Sequence, residues 1–204
     1  VFYDGIVVQG GSLDSTGAEL NVTHHGINNN YDGDYSELII NSYAVRVTAG
    51  SSGSTDVKIT NGELTNDSGG GLYVSGGTVT LGTENSTESD SLSVITSGNT
   101  YADNNGGYFQ NPDQSNSNSN WNYMKNVNGG NAVDVNGGTI TVHYGTYASA
   151  FGNGVLVSNG TANIYGGTFA GNDPYDGNDR TPLAGSAASY GLKMYGGILN
   201  VYGG

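Results

Sequence analysis

Residues 131–147, Asn-Ala-Val-Asp-Val-Asn-Gly-Gly-Thr-Ile-Thr-Val-His-Tyr-Gly-Thr-Tyr, decide the fold, because residues 153–169 repeat their pattern 22 residues later. The pairs Val133/Val135 and Val155/Val157 stand at the same place in the two copies. A fixed period of about 20 residues is typical of stacked-repeat proteins, in which a repeat buries its apolar face only against its neighbours.

Within one copy, the pattern predicts three short strands joined by glycine corners. Val133 and Val135 alternate with a polar residue, a two-glycine corner follows, and Ile140 and Val142 alternate in the same way. This period of two is typical of strands that bury one face. Tyr147 follows another glycine and indicates a third strand. Three such strands predict one coil of a parallel β-solenoid.

The paired-strand pattern recurs along the whole chain, at spacings that vary from 22 to 61 residues. Outward loops at the corners would absorb such variation at little cost. Six copies are present: Ile6/Val8 with Leu20/Val22, Val45/Val47 with Val57/Ile59, Leu72/Val74 with Val79/Leu81, Val133/Val135 with Ile140/Val142, Val155/Val157 with Ala162/Ile164, and Leu192/Met194 with Leu199/Val201. Leu92/Val94 is either a seventh coil or the third side of an existing one.

The alternation also predicts side-chain columns that run from coil to coil. Ile140, Ala162 and Leu199 should stack inside, beside a column of Val142, Ile164 and Val201. Thr141, Asn163 and Asn200 should face outward, in line with Thr80, Lys58 and Asn21.

The chain is expected to be one β-solenoid domain, residues 1–204, with a long polar insertion around residues 99–130. With 36 glycines and only 11% charged residues, a disordered chain is the alternative. The regularly spaced apolar pairs argue against disorder, and no window shows helical periodicity.

The formal charge of −13, from 18 acids and five bases, disfavours nucleic acid and anionic membranes as partners. No apolar run approaches the length of a bilayer span. The absence of cysteine excludes disulfides and leaves the redox compartment open.

The pattern Gly-Val-x-Val-x-Gly-Gly, followed by Thr-x-x-Val/Ile-x-x-Gly-Thr-Phe/Tyr, resembles that of right-handed parallel β-helix proteins. That class includes secreted polysaccharide lyases and hydrolases, autotransported adhesins and phage tailspikes. The resemblance implies an all-β, right-handed parallel β-helix of about six to seven coils with outward loops. It implies no single activity, because the same scaffold hosts several.

Cleavage of polysaccharides would require two carboxylates at a defined separation. The outward positions of the first strands are Val7, Arg46, Tyr73, Asp134, Leu156 and Lys193, with no paired acids on adjacent coils. Asp134 is expected to be a solvated strand residue, and Arg46 and Lys58 surface counter-charges. The chain is therefore expected not to be an enzyme. The alternative function is a polysaccharide-active or carbohydrate-binding β-helix.

Two acidic, glycine-bearing loops offer the oxygen ligands that calcium prefers. One loop contains Asp32 and Asp34, and the other contains Asp173, Asp176 and Asp179. Both are candidate structural calcium sites. Neither has EF-hand spacing, so the alternative is that they are merely solvated. No other cofactor is expected, and His24, His25 and His143 are expected to be exposed polar residues rather than zinc ligands.

Tyr165 and Tyr202 occupy equivalent positions and, with His143, predict an outward aromatic ladder. Such a ladder could stack on sugar rings, contact a neighbouring subunit, or only cover the strands. The sequons at Asn21, Asn66, Asn85 and Asn159 permit glycosylation.

Both ends of the chain consist of coil-like sequence without a capping element. An uncovered coil exposes apolar side chains and unpaired backbone groups. The last coil, through Leu192, Met194, Leu199 and Val201, is therefore expected to stack on the first coil of another copy, through Ile6, Val8, Leu20 and Val22. The alternative is a segment of a longer solenoid.

These expectations combine into an extracellular or cell-surface structural protein, a fibre, filament or adhesin stalk whose main partner is itself, with glycans as a further candidate.

Overall fold

The computed structural model describes residues 4–24, 42–51, 53–66, 69–84, 92–96, 130–149, 152–171 and 190–203. These residues are all-β, without a helix, and form 14 strands in two sheets. The strands are β1 (Ile6–Gln9), β2 (Gly11–Asp14), β3 (Leu20–His24), β4 (Tyr43–Thr48), β5 (Thr55–Ile59), β6 (Gly62–Asn66), β7 (Gly70–Leu81), β8 (Leu92–Thr96), β9 (Val133–Val142), β10 (Thr146–Ser149), β11 (Val155–Ile164), β12 (Thr168–Gly171), β13 (Leu192–Met194) and β14 (Ile198–Val201). In this described part, no helix has the length and apolarity needed to cross a membrane.

The first sheet has nine parallel strands, in the order β1-β4-β7-β9-β11-β13. β2 and β5 extend it beside the second half of β7, and β14 pairs with the second half of β11. In three repeats the two predicted strands thus join into one long strand that bends at the glycine corner.

The glycine corners stack on one another. Gly77, Gly138, Gly160 and Gly197 have φ of 82°, 72°, 82° and 78°. A Cβ on Gly138 would lie 2.5 Å from the carbonyl oxygen of Gly77, and a Cβ on Gly160 would lie 2.6 Å from that of Gly138. Only glycine therefore combines the left-handed backbone with this close approach between repeats.

The second sheet has five parallel strands, in the order β12-β10-β8-β6-β3. β8 pairs with β6 and β10, so Leu92 and Val94 supply the second-sheet strand of the repeat that contains β7. The open question from the sequence is thereby answered: this segment is the third side of an existing repeat. Tyr147 and Phe169 continue its inward column and stack at 5.2 Å between ring centroids.

The core consists of the predicted inward columns. Val45, Leu72, Val133 and Val155 lie side by side in adjacent strands, and all are fully buried. The column through Ile140, Ala162 and Leu199 is confirmed by the strand register. Thr80, Thr141, Asn163 and Asn200 also align as predicted.

The prediction for the first repeat is wrong in one respect. Leu20 and Val22 lie in β3 of the second sheet, where Asn21 pairs with Glu63. The first-sheet partner of Val57 is Leu13, and that of Lys58 is Asp14. In the sequence, β2 shows a single inward apolar residue, Leu13, whereas β3 shows an alternating apolar pair.

Repeats that follow one another in sequence lie next to one another in the sheets, and all the described pairs are parallel. This arrangement is consistent with a β-solenoid. The polar insertion predicted around residues 99–130 lies, apart from Gly130, outside the described residues.

Candidate functional site

The last described repeat, residues 190–203, ends the first sheet with an apolar edge. β13 and β14 pair with β11 on one side, and no described strand pairs with their other side. Met194 is 52% exposed and Val201 is 56% exposed, whereas Val157 and Ile164 beside them in β11 are fully buried. Two of the inward columns, those through Val157 and Ile164, therefore end on side chains that are more than half exposed at this edge.

Aromatic residues add to the exposed surface of this repeat. Its exposed large apolar or aromatic side chains are Tyr190, Met194, Tyr195, Ile198, Val201 and Tyr202. The Lys193 ammonium lies 5.0 Å from the ring centroid of Tyr190 and 4.7 Å from that of Tyr195. These distances are within the range of cation–π attraction.

The opposite edge of the first sheet is formed by β1 and β2, which pair only with β4 and β5 among the described strands. Ile6, Val8 and Leu13 are partly buried and pack against the core. Leu20 and Val22, which were expected at this position, lie instead at the β3 edge of the second sheet. The glycine spacing could have identified Leu13, because it follows Gly11 by two residues, as Ile140 follows Gly138.

The aromatic ladder predicted on the outer surface is present. The ring centroids of His143 and Tyr165 are 5.3 Å apart, and those of Tyr165 and Tyr202 are 4.6 Å apart, with interplanar angles of 22° and 17°. Beside it, Asn200 donates a 2.9 Å hydrogen bond to Asn163. The Tyr165 ring thus lies between its two neighbours, with a stacked contact on each face.

A second polar cluster lies on the outer face of the early repeats. Arg46 is buried, and its guanidinium pairs with Asp4 in two contacts, Nε to Oδ2 at 2.6 Å and Nη2 to Oδ1 at 3.2 Å. The guanidinium carbon lies 4.8 Å from the Tyr43 ring centroid and 4.7 Å from that of Tyr73. The expectation that Arg46 is a surface counter-charge is therefore wrong.

Asp134 belongs to the same cluster. Its Oδ2 accepts a 2.9 Å hydrogen bond from the Tyr43 hydroxyl, and its Oδ1 accepts one of 2.6 Å from Asn131. Burial raises the pKa of Asp134 to about 6, against the smaller lowering effect of these two hydrogen bonds. Burial also raises the pKa of Tyr43, and the Asp134 charge adds to that shift. The prediction of a solvated Asp134 is wrong.

Gly70 makes the contact between Tyr43 and Asp134 possible. Tyr43 lies in β4 and Asp134 in β9, so the tyrosine ring must cross the intervening strand β7. Gly70 pairs with Tyr43 in the sheet, and a Cβ on Gly70 would overlap the Tyr43 ring. The cluster thus ties three consecutive strands together through their side chains.

The predicted metal sites fall outside the described residues: Asp32, Asp34, Asp173, Asp176 and Asp179. Within the described ranges, no group of three or more His, Cys, Asp or Glu side chains could hold a metal ion. His24 and His143 take part in contacts to Asn66 and Tyr165, and His25 lies outside these ranges.

The sequons differ in their surroundings. Asn21 and Asn159 are exposed. Asn66 is fully buried, and its amide nitrogen donates to the carbonyl oxygens of Ser42 and Gly70. This packing leaves no room for a glycan on Asn66. Asn85 lies outside the described residues.

No family model, no curated protein and no solved structure matches this chain.

Proposed function

We propose that this chain is an extracellular structural protein, a subunit or segment of a fibre, filament or adhesin stalk, and that it acts without catalysis. In this proposal the two sheets belong to a right-handed parallel β-helix of six coils, and copies of the coil stack head to tail. The parallel register of both sheets and the continuous apolar columns support this architecture. The extracellular or cell-surface location rests on the resemblance to secreted β-helix proteins.

The observation that carries the proposal is the apolar edge of the last repeat. Met194 and Val201 are more than half exposed, at positions that are fully buried one repeat earlier. Burying the exposed half of each side chain would contribute about 1 kcal/mol. The edge strands also carry backbone groups that another parallel strand could pair. Both effects favour the addition of a further coil.

The test is the assembly state of the purified chain across a concentration series, followed by sedimentation velocity and electron microscopy. We expect rods that lengthen with concentration. Val201→Asp should suppress them, because a carboxylate in the contact would lose its solvation. The control Ser158→Asp adds the same charge at an exposed corner one repeat earlier and should leave assembly unchanged. Particles that stay single at every concentration would refute the proposal.

Circular dichroism melting of both variants separates lost assembly from lost folding. Val201 lies at the edge of the first sheet and is largely exposed, so its replacement should change the melting temperature little. A Val201→Asp chain that unfolds at room temperature would call for Met194→Asp in its place.

The alternative function, a carbohydrate-binding or polysaccharide-active β-helix, is favoured by the ladder of His143, Tyr165 and Tyr202. Tyr165 is 46% exposed and Tyr202 is 63% exposed, and the Asn163–Asn200 amides lie beside them. Aromatic rings with neighbouring amides suit sugar recognition. Binding to a panel of plant and algal polysaccharides that Tyr165→Ala abolishes, in a chain that forms no rods, would support this alternative.

A further inference from the structure

The strand register specifies how two copies would meet, provided that the head-to-tail stacking proposed above occurs. Three inward columns of the first sheet continue through every repeat in the same order, and each of these three ends on an apolar side chain at both edges. One column runs from Ile6 to Leu192, a second from Val8 to Met194, and a third from Leu13 to Leu199.

We infer that β1 and β2 of a second copy add in parallel to β13 and β14, with Ile6 beside Leu192, Val8 beside Met194 and Leu13 beside Leu199. This register repeats at the contact the spacing that each repeat already has with its neighbour. It differs from the interface expected from sequence, because Leu13 takes the place that Leu20 and Val22 were expected to fill.

The lengths of the edge strands agree with this register. β1 and β2 each have four residues, and β13 and β14 have three and four. Among the described strands, the second sheet ends one repeat earlier, at β12. The contact is therefore assigned to the first sheet.

The charges of the two edges favour the same polarity. Residues 4–24 carry the acids Asp14 and Glu19, in addition to Asp4, which pairs with Arg46, and they contain no lysine or arginine. Lys193 is the one charged residue of 190–203. Two copies joined through their first repeats would bring acids together, and two joined through their last repeats would bring lysines together. Both of those contacts would also pair the strands antiparallel. Head-to-tail contact avoids the like-charge approach, and its electrostatic part should weaken with salt.

Cysteine cross-linking tests the register, and the chain contains no cysteine of its own. A Val8→Cys chain is mixed with a Met194→Cys chain under assembly conditions, oxidised with copper-phenanthroline, and analysed on a non-reducing gel. The mismatched control mixes Val22→Cys with Met194→Cys, because Val22 lies in the second sheet. The matched pair should form the mixed disulfide at least about tenfold faster, since cysteines with Cα atoms more than about 7 Å apart are not bridged without movement of the backbone.

A second matched pair, Leu13→Cys with Leu199→Cys, should behave like the first, and it guards against loss of folding in either Val8→Cys or Met194→Cys. Met194→Cys dimers that form as readily as the mixed product would indicate a tail-to-tail contact and overturn the inference. Equal rates of disulfide formation with Met194→Cys for the Val22→Cys and Val8→Cys chains would also overturn the inference.

The assembly data distinguish this inference from the proposed function. Rods that form while neither matched pair cross-links would refute the register and leave head-to-tail stacking standing. Single particles without cross-links in any pair would refute both.

Discussion

Replacing Asp134 with asparagine should remove a pH dependence from the stability of the fold. Asp134 is held between the Tyr43 hydroxyl and the Asn131 amide. Burial disfavours its ionised form, so the carboxyl binds a proton more tightly in the folded chain than in the unfolded one. The asparagine keeps the shape of the side chain and one of its two acceptor oxygens, but it does not titrate.

The magnitude follows from the difference between the two pKa values. The pKa of Asp134 rises from 3.8 to about 6 on folding, which corresponds to about 3 kcal/mol between the two protonation states. Between these pH values the folded state binds more protons than the unfolded state. The contribution of Asp134 to the free energy of unfolding should therefore fall by about 3 kcal/mol as pH rises from 4 to 7, and then level off.

The assay is urea unfolding, followed by far-ultraviolet circular dichroism, at half-unit steps from pH 4 to 8. Each chain gives a curve of unfolding free energy against pH. Subtracting the wild-type curve from the Asp134→Asn curve removes the contributions of the carboxyl groups that the two chains share. The difference should grow through pH 4 to 6, on top of a pH-independent cost for the acceptor oxygen that asparagine lacks. Asp56→Asn makes the same replacement at an exposed strand position and serves as the control for the substitution itself. A flat difference curve for Asp134→Asn, or one that falls with pH, would refute the reasoning.

Three further changes probe the packing. Gly70→Ala should cost about 1–3 kcal/mol, because the added methyl group would displace the Tyr43 ring; urea midpoints measure the loss. Gly138→Ala should cost about 2–4 kcal/mol, since it combines a positive φ of 72° with a close approach to a backbone oxygen. Asp4→Ala should cost about 2–3 kcal/mol, because it removes two charge-assisted hydrogen bonds to Arg46 and the acceptor of the Tyr43 backbone N–H, and adding Arg46→Met should recover part of the loss.

Matched glycines control the first two of these changes. Gly53 has open space at its Cβ position and no positive φ, so Gly53→Ala should be nearly neutral. Gly11 has a φ of 81° and open space, so Gly11→Ala isolates the backbone strain from the collision. A Gly138→Ala loss no larger than that of Gly11→Ala would contradict the proposed close approach. If Arg46→Met does not rescue Asp4→Ala, the buried charge is not the cause of the loss.

The amino-acid sequence alone determined most strands of the first sheet, the inward columns of most repeats, the glycine corners and the outward ladder of His143, Tyr165 and Tyr202. All of these depend on local rules. Alternation with a period of two assigns a side chain to one face of a strand, and a left-handed corner selects glycine. Once two copies such as 131–147 and 153–169 align, their register and stacked side chains follow.

Only the tertiary structure decided which strands of the irregular repeats are equivalent and which polar groups meet. Leu13 and Leu20 are both apolar strand residues, and only pairing with the next repeat separates them. Tyr43 contacts Asp134, which is 91 residues away in the chain, because Gly70 has no side chain in the space that the Tyr43 ring occupies. The physical reason is that burial and ion pairing depend on neighbours brought together by packing, and a period along the chain specifies faces and spacings but not those neighbours.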